Sequence, residues 1–181
     1  MYVPKKGKDL QGVALERVMD ILLSLRSTEE LYNVSSIERY HQRAIDFLWT
    51  YRHNDQHFKR TLKINGHHLH DDDNFFFETV GYTFPIHLGY VMYSAADYYG
   101  FYYHAERRLY LLPVKEVRNF LIIHMHEYEI QERALFDVKQ RWLISGRAIP
   151  KEKLLDTLAH FHVIDIPLNR HEIIQRYEAF R

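Results

Sequence analysis

The chain has 181 residues, of which 46% are hydrophobic and 27% charged, the balance of one soluble globular domain and not of a disordered or fibrous chain. Its 24 Lys and Arg equal its 24 Asp and Glu, so no overall field draws it to polyanions and any nucleic-acid surface must be a local patch. The lack of cysteine excludes disulfides, thiolate nucleophiles and Cys-ligated zinc or iron–sulfur centres. No apolar signal core follows Met1–Lys6, and no run approaches the roughly 18 apolar residues of a membrane span, so the expectation is a cytoplasmic protein with no membrane partner.

The first element is a helix from Asp9 to Arg26, where Leu10, Ala14, Val18, Ile21, Leu22 and Leu25 recur on one face and Asp9 is placed as N-cap. Ser27 to Gln42 is a polar connection with room for a short irregular strand. Ala44 to Tyr51 alternates Ile45, Phe47, Trp49 and Tyr51 against Ala44, Asp46, Leu48 and Thr50, the pattern of a strand with two unequal faces. His53–Gln56 reads as a turn, Phe58–Asn65 as a second strand and Asn74–Gly81 as a third, with the polar loop Gly66–Asp73 between them. Three strands in succession suggest an antiparallel meander. Tyr98–His104 and Leu109–Leu112 give a fourth and fifth strand around a tight turn, and Pro113 at the first helical position opens a helix over Val114–Glu127. Beyond Tyr128 the pattern is read as mainly helical, with Pro150 starting Lys151–His160 and Asn169 capping His171–Phe180. The expected architecture is α/β: a central mixed, largely antiparallel five-stranded sheet flanked by helices, with a helical C-terminal extension. The chain is expected to be one domain, its core at about 9–125 and the extension at about 128–181.

Four positions invite a chemical reading together: Glu16 on the first helix, Asp46 in the first strand, Thr61 and Lys63 in the second. Strand period sets Thr61, Lys63 and Asn65 on one face, away from Leu62 and Ile64, and pairing of neighbouring strands turns Asp46 to the same side. A carboxylate and an amine that converge suit metal-dependent phosphodiester hydrolysis, in which acids hold Mg²⁺ through oxygen and a lysine steadies developing charge.

Gly12–Glu16, Gln42–Asp46, Thr61–Lys63, Asn74–Glu78 and the Gly89–Tyr98 segment containing Ser94, Ala96 and Asp97 resemble, in order, the motifs of the PD-(D/E)xK nucleases, especially small phage-type endonucleases. The resemblance spans about residues 9–125. It implies a restriction-endonuclease-like fold, Mg²⁺ or Mn²⁺ held by Glu16 and Asp46, a catalytic set of Glu16, Asp46 and Lys63, and DNA as substrate, with a protein partner or a second copy of the chain also in view. Position 61 departs from the pattern: Thr61 brings a neutral hydroxyl where the family has an acid, and Glu78 or an acid among Asp71, Asp72 and Asp73 is the candidate compensation. Two readings follow. One is an active endonuclease; the other is a member that has lost catalysis and serves as a DNA- or protein-binding module.

Plainer readings stand beside these. Glu16 lies off the apolar stripe and reads as solvated, Asp46 and Lys63 as a structural ion pair, and Glu78 as the partner of a cross-strand base. His67, His68 and His70 with Asp71–Asp73 have ligand types suited to a transition metal, or form an ordinary polar loop. The pairs His124/His126 and His160/His162, each two residues apart on expected helices, point to different faces. Tyr98, Tyr99, Tyr102, Tyr103 and Tyr110 either stack on bases or fill a core, and Arg107, Arg108, Lys115 and Arg118 are the candidate phosphate contacts, with Lys139, Arg141, Arg147, Lys151 and Lys153 as a second basic set.

Overall fold

The computed structural model describes residues 10–68, 73–81, 87–136 and 141–166. Its first helix, α1 (Leu10–Ser24), follows the predicted stripe: Ala14, Val18 and Leu22 are buried. Asp9, assigned as its cap, lies outside the described residues. The polar connection contains both an edge strand, β1 (Thr28–Asn33), and one turn of helix, α2 (Glu38–His41). β2 (Phe47–His53) and β3 (Gln56–His68) form the expected hairpin. Asn54 and Asp55 both have positive φ, 49° and 59°, as a two-residue turn between twisted strands requires.

Among the described residues β1, β2, β3, β6 (Tyr98–Tyr103), β7 (Arg108–Pro113) and β10 (His162–Asp165) form a six-stranded sheet in the order β1-β2-β3-β6-β7-β10. All its pairs are antiparallel except β3 with β6. A second sheet has the order β5-β4-β9-β8, from β4 (Asn74–Gly81), β5 (His87–Leu88), β8 (Ile130–Phe136) and β9 (Arg141–Pro150). The α/β class therefore holds, but the single five-stranded sheet does not. β4 does not extend the meander: Asn65 donates to the Phe76 carbonyl at 2.9 Å, a side-chain bond where the chain passes from one sheet to the other.

The C-terminal third corrects the reading most. In place of a helical extension, β8 and β9 complete the second sheet and β10 returns to pair with β7. Pro150 does precede a helix, α5 (Lys151–Leu155), but it is one turn long, and His162 sits in a strand instead of a helix. The helix after Pro113 is α4 (Val114–His124), continued by a 3₁₀ turn at Met125–Glu127, with Pro113 itself as the extended N-cap residue, one place before that expected. The segment His171–Phe180 and its cap Asn169 lie outside the described residues.

Strand alternation sorts the aromatic residues into two cores. Phe47, Trp49, Leu62, Ile64, Leu109 and Leu111 face α1. On the other side Tyr99, Phe101, Tyr103, Tyr110 and Leu112 meet Phe75 and Phe77 of β4, together with α4, α5 and the short helix α3 (Tyr90–Tyr93). Phe75 touches Phe101, Tyr103 and Tyr110 edge-on or tilted, with centroids 5.0–5.9 Å apart, the arrangement ring quadrupoles favour. Tyr99 and Tyr103 are fully buried, so the filling-of-a-core reading applies to them.

Two glycines stand where backbones crowd. A Cβ on Gly146 would collide with the carbonyl oxygen of Phe77, whereas one on Gly100 would meet mainly the end of the Ile64 side chain. Gly146→Ala should therefore cost about 3 kcal/mol of unfolding free energy and Gly100→Ala about 1 kcal/mol, measured by urea denaturation.

Near the end of α4, hydrogen bonds from His124 and Lys153 hold the Glu127 carboxyl down at about 2. A carboxyl depressed in the folded state stabilises the fold above its unfolded value and loses that contribution as pH falls towards the folded one. The urea midpoint should drop between about pH 4.5 and 2, and drop less in Glu127→Gln.

Candidate functional site

Asp46 lies just before β2, where the backbone is held on both sides: its N–H donates to Leu62 and its carbonyl accepts from Val34. Ala44, with φ 46°, makes the bend that precedes it. Regular β2–β3 pairing ends at Phe47 and Leu62, and the Asp46 carboxylate takes over beyond it. Oδ2 accepts the Ile64 N–H at 2.7 Å and lies 3.1 Å from Lys63 Nζ, while Oδ1 accepts from the same ammonium at 3.3 Å. The Asp46 side chain is 7% exposed and that of Lys63 17%. A carboxylate so buried is tolerated because both oxygens have donors.

Lys63 extends towards α3, with Nζ 5.9 Å from the centre of the Tyr90 ring. Tyr90 accepts from Asn65 Nδ2 at 2.7 Å, and burial, Tyr99 and the charge of Glu78 hold its phenol well above the ordinary tyrosine value. At the other end of α3, Tyr93 is raised by burial and by the negative charges of Glu78 and Asp46. The charges of Glu78 on β4 and of Asp46 thus both reach Tyr93. Arg118 of α4 clamps this roof by donating to the backbone carbonyls of Val91 and Ser94. Ser94 donates to the Ala44 carbonyl at 2.8 Å and accepts the Ala96 N–H, which fixes the turn after α3.

At position 61 the neutral hydroxyl has its own partner. Asp97, immediately before β6, accepts the Thr61 N–H at 2.7 Å and the Thr61 hydroxyl at 2.9 Å on Oδ2, and its own N–H donates to the Thr61 carbonyl. A carboxylate therefore stands beside the position where the resemblance expects one, supplied by the neighbouring strand.

Glu16 belongs to a different layer. It is exposed on α1, whose buried residues rest on Phe47, Leu62 and Ile64, and alternation turns Lys63 to the opposite face. Among the described residues no three His, Asp or Glu side chains converge as a metal shell. Most of the His67–Asp73 loop lies outside the described residues, as do its side chains before Asp73.

The expected phosphate contacts scatter. Arg108 pairs with Asp165 at 2.8 Å, Arg107 donates to the Ile166 carbonyl, Lys115 is exposed on α4, and Arg118 is the clamp already described. Of the second basic set, Arg147 donates to the Met125 carbonyl, Lys151 pairs with Glu106 and Lys153 with Glu127; Lys139 and the side chain of Arg141 lie outside the described residues. Asn65, Tyr90 and Tyr93 are the members that sequence reasoning missed. Asn65 carried a signal, since a polar residue two places after Lys63 on the same strand face needs partners of its own.

Comparison with known proteins found no matching family model, no matching curated protein and no matching solved structure. No described helix is long and apolar enough to cross a membrane.

Removing the Asp46 carboxylate leaves both the Lys63 ammonium and the Ile64 N–H without their acceptor. Asp46→Ala should cost about 3 kcal/mol in urea unfolding, and adding Lys63→Met should restore at least about half of it.

Proposed function

We propose that the chain is a DNA-binding protein of nuclease-like fold whose cleft between the two sheets hydrolyses phosphodiester bonds with the help of Mg²⁺ or Mn²⁺. The observation that carries this reading is the Asp46–Lys63 pair: a carboxylate before one strand and an ammonium in its hairpin partner, joined at 3.1 Å. The order helix, hairpin, crossover and parallel strand around that pair is also the order of the motifs in the PD-(D/E)xK resemblance.

Mg²⁺ is typically held by one or two carboxylates, with water and substrate phosphate completing its shell. Asp46 and Glu78, whose charges both reach Tyr93, are the carboxylates that would meet that modest demand; Glu16, on the far face of the sheet, is a weaker candidate than the resemblance implies. When bound, the ion would polarise the scissile phosphate and acidify water. Lys63 is oriented by Asp46 and supplies a positive donor for a phosphate oxygen as charge develops in the transition state. Tyr93 and Tyr90 wall the cleft, and Asn65 fixes Tyr90.

A second reading, a nuclease-fold module without catalysis, is favoured by one observation: the Thr61 hydroxyl and N–H are both occupied by Asp97, so the missing acid has a structural replacement.

Plasmid and branched DNA with Mg²⁺ or Mn²⁺ distinguish the two. The active reading expects nicking or cleavage that falls at least about 100-fold in Asp46→Asn and in Lys63→Met, with the fold retained by circular dichroism, and a weaker metal response in Glu78→Gln. No cleavage by the unmodified chain across metals and substrates, with cleavage gained in Thr61→Glu, would establish the decayed site instead.

A further inference from the structure

The β2–β3 hairpin projects beyond the rest of its sheet. β6 begins pairing with β3 only at Leu62 and Tyr98, so the part of β3 before Thr61 has no neighbour on that side among the described residues. On the face that carries α1, the helix stops short as well. Its last turn is tied to the level of Trp49, through Thr28 Oγ1 donating to the Leu22 carbonyl and Trp49 Nε1 donating to Thr28.

Cross-strand register sets Tyr51 opposite Phe58 and Trp49 opposite Arg60, all on this face. Their rings form a column: Trp49 and Tyr51 stack at 4.2 Å and 26°, Tyr51 and Phe58 at 5.4 Å and 21°. The Arg60 guanidinium lies 5.6 Å from the centre of the Phe58 ring. Across the opening Tyr98 meets His162 of β10 at 5.7 Å. Tyr51, Phe58, Arg60 and Tyr98 are half-buried, His162 and His53 exposed. The column is thus open to solvent where the buried aromatic core of the other face is not.

We infer that this hairpin platform binds single-stranded DNA, with unpaired bases stacking on the Phe58 end of the column and on Tyr98 while Arg60 meets the backbone phosphates. A ring column edged by a cation is matched by a ligand that repeats a planar ring and an anion, and a duplex offers no free base face to stack. Burial, with the nearby Arg60 guanidinium and the neighbouring histidines, holds His162 below the usual histidine value, so Arg60 is the cation that the platform offers a phosphate. Of the nearby carboxylates, Glu116 takes His160 and the N–H groups of Ala159 and His160, and Glu29 takes His57 and Arg52, while Asp55 is exposed in the hairpin turn. The platform lies on the face of the sheet opposite Lys63, so it would hold a strand outside the cleft. The choice of DNA as the polymer rests on the nuclease-like reading; the stacking geometry does not.

Binding is read by fluorescence anisotropy of labelled oligothymidylate with the full chain, in EDTA at low salt, so that cleavage plays no part. The unmodified chain should bind it, and Phe58→Leu, which keeps bulk but removes the ring, and Arg60→Glu should each weaken binding at least about tenfold with unchanged thermal unfolding midpoints. Arg60→Glu should also lower the dependence on salt by about one phosphate contact. Failure of the unmodified chain to bind, or equal binding by both variants, overturns the platform. Platform-sensitive binding without any Mg²⁺-dependent cleavage keeps this inference while removing the hydrolytic one, and cleavage with unchanged binding by both variants does the reverse.

Discussion

The structure turns on the two-faced character of β3. This strand pairs antiparallel with β2 on one side and parallel with β6 on the other, so it cannot shift register without breaking both ladders. Leu62 and Ile64 are locked beneath α1, and Lys63 and Asn65 are driven into the space between the sheets. A one-residue slip would exchange those sets and bury an ammonium under a helix. The Asp46 carboxylate reinforces the register by capping Ile64 N–H where pairing with β2 ends, and the same oxygen receives Lys63.

There are two sheets because the chain does not keep adding strands to one. β4 departs, pairs with β9 and presents Phe75 and Phe77 back to the first sheet, so the buried aromatic rings of β6 and β7 are covered by strands in place of solvent. Asn65 bridges the departure through Phe76 and Tyr90. Tyr90 then lies over Lys63 beside the Asp46 pair, and Arg118 of α4 ties α3 in place. Aromatic residues therefore have three different roles in the chain: core filling for Tyr99 and Tyr103, the neighbourhood of Lys63 for Tyr90, and a half-buried column for Tyr51 and Phe58.

Much of the central region was legible because period-two alternation is a direct consequence of backbone geometry. The opposition of Leu62 and Ile64 to Lys63, the turn at Asn54–Asp55 and the strand pair around Arg107 all needed only local rules. The failures have a common cause. β8 reads Ile130-Gln-Glu-Arg-Ala-Leu-Phe136, which suits a helix or a strand on propensity, and its state is decided by the β9 ladder beside it. β4 was recognised as a strand but not as a member of another sheet, because partner choice is a long-range property. The exposed basic residues were equally opaque: whether Arg118 meets a phosphate or two backbone carbonyls depends on α3 arriving beside it.

The order of residues alone dictated the alternation of β2 and β3, the amphipathic stripe of α1 and the placing of Lys63 on the strand face opposite Leu62 and Ile64, since each depends on neighbours within a few positions. It could not dictate that Glu16 sits a layer away from Lys63, that Asp97 comes to rest against Thr61, or that the charges of Glu78 and Asp46 both reach Tyr93. The Asp97–Thr61 contact alone joins residues 36 apart, and the energy that selects such distant partners resides in the assembled cores and not in any local pattern.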